Sequence, residues 1–218
     1  MIKAGDFASH MKDKDIALNL TPVSRETEAR LDVLVKTLNQ WQKIKNLVSG
    51  SSLGHVWTRH IADSLQLLTL APEARRWVDL GSGGGFPGLV VAAVLAQHDS
   101  YEVHLVESNA RKCAFLREAA RSMGVSVIVH PVRIEDLIDS FSGKIDVVSA
   151  RALAALPQLI TWTDKLLTNG AVGLFPKGGE LSNELTETAK CWRLEYTIHN
   201  SLTDLTGRIL RVDKAEPL

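Results

Sequence analysis

The stretch WVDLGSGGGFPGLVVAAVLA, residues 77–96, places five glycines, four of them within residues 81–85, and a proline between a short apolar run and a longer one. The short run predicts a buried β-strand and the longer run predicts a helix. Glycine permits a positive φ and lets the main chain approach a ligand closely, and a helix N-terminus offers free N–H groups. The stretch therefore predicts a ligand-binding loop at the carboxyl edge of an α/β sheet. The alternative is a glycine-rich turn that binds nothing.

Downstream of this loop, strand-like and helix-like segments alternate. The alternation predicts an α/β fold with a mostly parallel sheet covered by helices on both faces. The last two predicted strands are joined only by SLTDLTG, which favours an antiparallel hairpin at the end of the sheet. The strands predicted after the first are YEVHLVE (101–107), VSVIVH (125–130), KIDVVSA (144–150), GAVGLFPKG (170–178), RLEYTIHN (193–200) and GRILRVD (207–213).

The first third of the chain has helical periodicity instead. Apolar residues fall on one face of a predicted helix over 26–44, with Ser24 as its N-cap, and a second helix is predicted over 58–70. We therefore predict a helical extension over residues 1–72 and one compact unit over residues 73–218. The length of 218 residues suits that arrangement.

Composition and charge exclude several classes of protein. The 25 basic and 25 acidic residues cancel, so any contact with nucleic acid would be made through a local patch. Two distant cysteines, Cys113 and Cys191, exclude a disulfide framework and a cysteine-rich zinc site, and no other metal site is expected. No secretory signal and no membrane span are expected, so the predicted location is cytoplasmic.

Two nucleotide-binding patterns overlap in the glycine loop. Gly83, Gly85 and Gly88 match the dinucleotide signature G-x-G-x-x-G, which is weak alone. The other frame, Asp79-x-Gly81-x-Gly83-x-Gly85, resembles motif I of the class I S-adenosylmethionine-dependent methyltransferases.

Glu107, at the end of the second predicted strand, fits both patterns. Its carboxylate could accept hydrogen bonds from both hydroxyls of an adenosine ribose. The predicted closing hairpin favours the methyltransferase, because a nicotinamide-binding half would be followed by a substrate domain for which no chain is left. In methyltransferases the segment after the third strand contacts the adenine, which makes Ile134 and Glu135 candidates here; an ordinary loop is the alternative.

Several motifs together resemble one family, the bacterial 16S rRNA (guanine-N7) methyltransferases, also called glucose-inhibited division protein B. The similarity covers about residues 31–178 and extends weakly into LTGRILRV, where many members have a histidine after the arginine. NQWQKIKNLV (39–48) is similar to the family's N-terminal helix, although members more often end it in Asn-Leu-Thr. The motifs are RHIADSL (59–65), VDLGSGGGFPGLVVA (78–92), VESNARKCAFLRE (106–118), VSARALAAL (148–156) and FPKG (175–178).

The resemblance implies a class I methyltransferase, Rossmann-like, with a mostly parallel seven-stranded sheet and an N-terminal helical extension. It implies transfer of a methyl group from S-adenosyl-L-methionine to N7 of guanine 527, in the 530 loop of 16S rRNA in the small ribosomal subunit. A monomer is expected. The binding positions carried over from the family are Gly81, Phe86, Ile134, Glu135 and Arg151.

Guanine N7 has a lone pair and no proton, so its methylation needs no general base. It needs the base to be positioned in line with the methyl group, and the charge that moves to the purine to be stabilised electrostatically. Arg133, Arg151 and Lys177 follow or end the third, fourth and fifth predicted strands, so they should meet at the rim of the glycine loop. Arg151 is also predicted to lie near a helix N-terminus, where a cation opposes the helix dipole and so indicates a functional role.

Other side chains have open or structural interpretations. His60 and Ser64 could approach the methyl donor or the base, but a hydrogen-bond network between the second helix and the core is favoured. Phe86 could line the cofactor pocket or pack beneath the loop, and Cys113 is interpreted as a small buried residue. The cations proposed to contact RNA are Lys43, Lys45, Arg59, Arg111, Lys112, Arg117, Arg133 and Lys177.

Three other functions remain open from the sequence. They are a methyltransferase acting on a small molecule or a protein, a non-catalytic ribosome-assembly factor that retains the fold, and a nicotinamide-dependent oxidoreductase. The intact loop and Glu107 argue against a loss of cofactor binding.

Overall fold

A seven-stranded mixed sheet forms the centre of the molecule, with strand order β3-β2-β1-β4-β5-β7-β6. The structure is a computed structural model that describes residues 4–42, 47–138, 141 and 144–218. Strands β1 to β5 are parallel, whereas β7 pairs antiparallel with both β5 and β6. The strands are β1 (Arg76–Leu80), β2 (Glu102–Val106), β3 (Ile128–His130), β4 (Val147–Ala150), β5 (Val172–Lys177), β6 (Trp192–Asn200) and β7 (Arg208–Pro217).

Helices cover both faces of this sheet. Successive residues of a strand point to opposite faces, so Trp77 of β1 joins one buried apolar cluster and the next residue, Val78, joins the other. The helices are α1 (Ala4–Leu20), α2 (Arg25–Gln42), α3 (Asp63–Leu68), α4 (Gly88–Leu95), α5 (Ala110–Met123), α6 (Ile134–Leu137), α7 (Leu156–Thr168) and α8 (Leu181–Thr188).

The N-terminal helices share their core with the sheet. Leu31, Leu34 and Leu38 of α2 are fully buried in the same apolar cluster as Trp77, and α2 packs on α4 and α5. The Asp13 carboxylate of α1 accepts a hydrogen bond from the Trp57 N–H at 2.9 Å. These contacts join the first third of the chain to the sheet through a continuous hydrophobic layer.

Local sequence signals locate most element boundaries. The Ser24 hydroxyl accepts a hydrogen bond from Thr27 N–H, which confirms it as the N-cap of α2. Gly124 ends α5 in the left-handed conformation, as predicted. Strand β3 is shorter than predicted, because the N–H of Val125 closes the end of α5 by bonding Ala120 O at 3.1 Å.

The second predicted helix is irregular. Residues Gly50–His55 form a 3-10 helix and Trp57–Ala62 form a π-helix before α3 begins at Asp63. A π-helix widens the turn, and such turns are frequent at functional sites. The predicted continuation of α2 to Ile44 lies outside the described residues.

Candidate active site

The glycine loop follows β1 at the point where the strand order reverses. β1 pairs with β2 on one side and with β4 on the other, and this is where open α/β sheets bind ligands. Gly81 and Gly85 have φ of +66° and +85°, which other residues rarely adopt. An added Cβ at either glycine would lie 2.5 Å from a leucine side chain, Leu153 or Leu89. The loop thus exposes bare main chain above the carboxyl edge of the sheet.

Asp79 supports this loop from below. Its side chain is 0% exposed, and its two oxygens accept hydrogen bonds from the Gly88 N–H at 3.1 Å and the Ser149 hydroxyl at 2.9 Å. Burial raises the pKa of Asp79 to about 6, although these hydrogen bonds and the charge of Arg151 act in the opposite direction. The Asp79 carboxylate therefore holds the loop from beneath and is not among the described residues that line the cleft.

Glu107 reaches the loop from the end of β2. One carboxylate oxygen accepts the Gly83 N–H at 3.0 Å and the other accepts the Asn109 N–H at 2.8 Å. Each oxygen has a second lone pair, so the carboxylate can still accept hydroxyl donors. The geometry fits the adenosine-binding role that the sequence predicts for Glu107.

A cleft of about 820 Å³ opens over the loop. This is within the range of roughly 300–1,000 Å³ typical of small-molecule sites. Its described walls include residues 47–55, the π-helix with the start of α3, the ends of β4 and β5, and the loop joining β6 to β7. The lining includes Arg59, His60, Asp63, Gly81, Ser82, Gly83, Gly84, Phe86, Lys112, Arg151, Lys177, Glu184, Thr203, Asp204, Gly207 and Arg208.

Arg151 stands at the centre of a hydrogen-bond network in this cleft. Its Nη1 donates to Asp63 Oδ2 at 3.2 Å and to Arg59 O at 3.1 Å, and its Nη2 donates to His60 Nδ1 at 2.7 Å. An arginine has five N–H donors, so two of them have no partner among the described residues. The guanidinium is thus oriented and still able to donate into the cleft.

Arg151 does not stand at a helix N-terminus, so the predicted opposition to a helix dipole is wrong. The N-cap of α7 is Ala155, four residues beyond Arg151. Its charge is balanced by Asp63, not opposed by the helix. The adjacent Ala152 has a φ of +50°, an uncommon value for a residue with a side chain, and strain of this kind concentrates at functional sites.

His60 is neutral and its tautomer is defined. Burial, followed by the charges of Arg151 and Arg59, lowers the pKa of His60 to about 3. Because Arg151 can only donate, Nδ1 must accept, and the proton lies on Nε2, which is 2.9 Å from the Ser52 hydroxyl. The ring stacks on Phe86 at a centroid distance of 4.9 Å. His60 therefore links the π-helix to the glycine loop and to Arg151, in agreement with the interpretation as a network.

Lys177 also lines the cleft but is strongly paired. Its ammonium lies 2.6 Å from Glu184 Oε2 and 3.1 Å from Ala154 O, and its side chain is 8% exposed. The same Glu184 oxygen accepts the Leu156 N–H. This pairing gives Lys177 a role in connecting β5, α7 and α8 at the edge of the cleft.

Other predicted site residues are not among the described residues that line this cleft. Arg133 is the exposed N-cap of α6, so its expected convergence with Arg151 and Lys177 stays a prediction. Ile134 is buried and Glu135 is exposed; neither is among the described lining residues. Gly85 contributes to the shape of the loop rather than to the lining.

Several other side chains singled out in the sequence have structural contacts. The Ser64 hydroxyl of α3 donates to His60 O in the preceding π-helix. Cys113 is buried with its Sγ 2.9 Å from Glu107 O, and burial raises the pKa of its thiol. Lys43 and Lys45 lie outside the described residues. Of the other proposed RNA contacts, Arg111 and Arg117 are exposed on α5 but do not line the cleft.

Sequence reasoning missed three residues that organise the site. Asp63, Glu184 and Thr203 each bond a residue far away in the chain. Asp63 had one signal, the polar face that it shares with Arg59 and His60 on a helix. The other two had none, because their partners are set by tertiary structure.

The described residues contain no group of three or more histidine, cysteine or acidic side chains placed to hold a metal. No helix in the described ranges is both long and apolar enough to cross a membrane.

The sheet order, with the glycine loop after β1 and Glu107 beside it, defines the class I methyltransferase fold. Solved structures agree with this assignment. An O-methyltransferase from Bacillus cereus in complex with SAH has a TM-score of 0.58 at 15% identity, covering 95% of this chain and 99% of that one. Cofactor-bound Rv0187 from MTB has a TM-score of 0.57 at 17% identity, covering 94% and 98%. At these identities the likeness concerns the fold alone.

Sequence comparisons define the family. The model of the GidB family, rRNA small subunit methyltransferase G, matches residues 27–211, and the chain belongs to this family. Ribosomal RNA small subunit methyltransferase G of Nitrobacter hamburgensis is 52% identical over 204 residues, which are 94% of this chain and 78% of that protein. The protein of the same name from Methylorubrum populi is 55% identical over 190 residues, 87% of this chain and 90% of the relative.

Proposed function

We propose that the chain transfers the methyl group of S-adenosyl-L-methionine to N7 of a guanine in the 530 loop of 16S rRNA. The substrate is the small ribosomal subunit, in the cytoplasm where subunits are assembled, and one copy of the chain acts alone. One observation carries the proposal: the glycine loop and the arginine network open into a single cleft.

The loop residues fit the methyl donor. Gly81 and Gly83 expose main chain, Glu107 retains lone pairs for the ribose hydroxyls, and Phe86 forms part of the cleft wall. S-adenosyl-L-methionine supplies an electrophilic methyl group on a sulfonium sulfur. The assignment of Ile134 and Glu135 to the adenine remains a proposal from family resemblance.

The cleft also fits a reaction without a general base. Guanine N7 carries a lone pair and no proton, so no side chain has to remove one. Both ring nitrogens of His60 are already engaged, and its low pKa keeps it neutral. The role of Arg151 is to donate to O6 or to a phosphate while leaving N7 free, because guanine presents both acceptors on the same edge.

The experiment is transfer of labelled methyl groups to under-methylated small subunits. We expect label at one guanine of 16S rRNA, and a loss of at least about a hundredfold in rate for Arg151→Ala, a size typical of removing one preorganised donor. Arg121→Ala is the matched control, since Arg121 lies on α5 away from the cleft. Both variants should bind the methyl donor in calorimetry.

The outcomes separate the other functions. Label in a small molecule or in protein would indicate a different methyltransferase. Binding of subunits and cofactor without transfer would indicate an assembly factor, and binding of a nicotinamide dinucleotide would indicate an oxidoreductase. Normal turnover by Arg151→Ala would reject the role given to that arginine.

A further inference from the structure

The loop between β6 and β7 presents an exposed apolar side chain at the rim of the cleft. This hairpin loop, residues 201–207, contributes Thr203, Asp204 and Gly207 to the cleft lining. At its tip Leu205 is 97% exposed, and Leu202 is also exposed. Single exposed leucines are common on protein surfaces, so exposure alone does not indicate a binding role.

The hairpin loop is braced rather than loose. The Leu202 N–H donates to Gln66 Oε1 at 2.8 Å, and the Thr203 hydroxyl donates to Asp63 Oδ1 at 2.9 Å. Within the loop, the Asp204 carboxylate accepts the Thr206 N–H and hydroxyl at 2.9 and 2.7 Å. The loop main chain is thus fixed to the helix that also orients Arg151. Such preorganisation lowers the entropy that a contact costs on binding.

The charge beside the tip favours a polyanion. Arg208 lines the cleft and donates to Leu205 O and Gly207 O at 3.1 and 2.7 Å, with no carboxylate partner among the described residues. The three carboxylates in the described lining, in contrast, each pair with a cation: Asp63 with Arg151, Glu184 with Lys177, and Asp204 with Arg59. Lys112 lies 4.0 Å from Glu107 Oε2, so Arg208 is the lining cation without a carboxylate partner among the described residues, in a chain whose formal charge is zero.

We propose that the hairpin loop is an RNA-binding element that inserts Leu205 between or against bases beside the target guanine, while Arg208 contacts a phosphate. Apolar side chains that enter a base stack partly unstack it, and enzymes acting on a base must first bring it out of the stack. A rigid apolar tip at the mouth of the cleft fits this requirement. The proposal rests on the proposed function, because it takes small-subunit rRNA as the partner.

The first test compares two exposed leucines. Leu205→Ser should raise the KM for under-methylated subunits about tenfold, equal to about 1.4 kcal/mol. Its calorimetric affinity for S-adenosyl-L-methionine and its Tm should equal those of the unmodified chain, since the side chain is in solvent. Leu218→Ser is the control: Leu218 is 71% exposed and lines a different cavity, and its variant should leave the KM unchanged. An unchanged KM for Leu205→Ser would overturn the proposal.

A photocrosslink identifies the partner. With p-benzoylphenylalanine in place of Leu205, irradiation of the complex should attach the chain to rRNA within a few nucleotides of the methylated base. Crosslinks only to a ribosomal protein would overturn the proposal and indicate a protein-docking loop. The unmodified chain methylates the subunits in parallel, so failure of the proposed function would appear separately, as a lack of methyl transfer or a different modified nucleotide.

Discussion

Gly88 is a residue at which no larger side chain fits. A Cβ there would overlap the Leu105 side chain and lie 2.8 Å from Asp79 Oδ2. The Gly88 N–H also donates to that oxygen, so the position joins the glycine loop, β1 and β2. The packing beneath the loop therefore depends on the absence of one carbon atom.

Gly88→Ala should lower the free energy of unfolding by about 2 kcal/mol or more, because an added carbon in a packed interior displaces its neighbours. Gly54→Ala is the matched control, since its Cβ would meet no atom within 4 Å. Urea denaturation of both variants measures the difference. Equal stability of the two variants would contradict the packing described for Gly88.

Asp79 makes stability depend on pH. Its pKa is raised from 3.8 to about 6 in the folded chain, so the native state binds the proton more tightly than the unfolded state does. The contribution of Asp79 is therefore fully present below about pH 3.8 and is lost as the pH rises through about 6. His60 acts in the opposite direction, because its pKa is lowered from 6.5 to about 3 and its contribution is lost as the pH falls through that range.

Asp79→Asn should remove the part of the pH dependence of stability that comes from Asp79. Between pH 4 and pH 6, the unfolding free energy of the unmodified chain minus that of the variant should fall as the pH rises. Denaturation at several pH values in this interval measures the difference. A constant difference would show that Asp79 has the same pKa in the folded and unfolded chain.

At the scale of elements, the π-helix and α3 join the parts of the site. Asp63 accepts hydrogen bonds from Arg151 of the β4 end, from Thr203 of the hairpin loop and from Gln66 of its own helix. Its two oxygens thus connect a side chain in the cleft with the proposed RNA-binding loop. The side chain acts through Arg151, which makes it a positioning residue.

Asp63→Asn should reduce kcat at least about tenfold, since the amide retains the size of the side chain but loses the charge that holds Arg151. A readout beyond activity is the KM for subunits, which should also rise because the hairpin loop loses an anchor. Asp63→Glu keeps the charge, so its kcat and its KM for subunits should lie closer to those of the unmodified chain. A variant with unchanged kcat and KM would exclude a positioning role for Asp63.

Sequence patterns predicted the helices, strands and caps, but not the hydrogen bonds that join distant parts of the chain. The glycine loop, Glu107 at the end of β2 and the Gly124 cap depend on neighbouring residues, so their positions follow from sequence. Asp63 bonds partners 88 and 140 residues away, and no local pattern reports such pairs. Arg133 is not among the described lining residues for a related reason: the end of a strand fixes the edge of the sheet, but not the direction in which the next residues leave it.

At the scale of the molecule, the N-terminal helices are part of the core. Leu31, Leu34 and Leu38 are each 0% exposed in the cluster that contains Trp77. Burial of one leucine contributes about 1.5–3 kcal/mol, and a whole domain is stable by only about 5–15 kcal/mol. The loss of these three leucines would therefore remove much of the free energy of unfolding.

The fragment 73–218, predicted from sequence as one compact unit, should consequently fail to fold cooperatively by itself. Thermal unfolding followed by circular dichroism tests this expectation. The full chain should show a sharp transition and the fragment a broad one or none. A sharp transition in the fragment would make the helical extension a separable addition.

The position of β7 in the sheet has a consequence for synthesis. This strand lies between β5 and β6 and follows both of them in the chain, so an interior position of the sheet is filled after its neighbours have been translated. Until residues 208–217 have left the exit tunnel of the ribosome, β6 has no partner strand and the hairpin at the rim of the cleft has only one of its two strands. A nascent chain therefore cannot complete the cleft before β7 has emerged and inserted between β5 and β6.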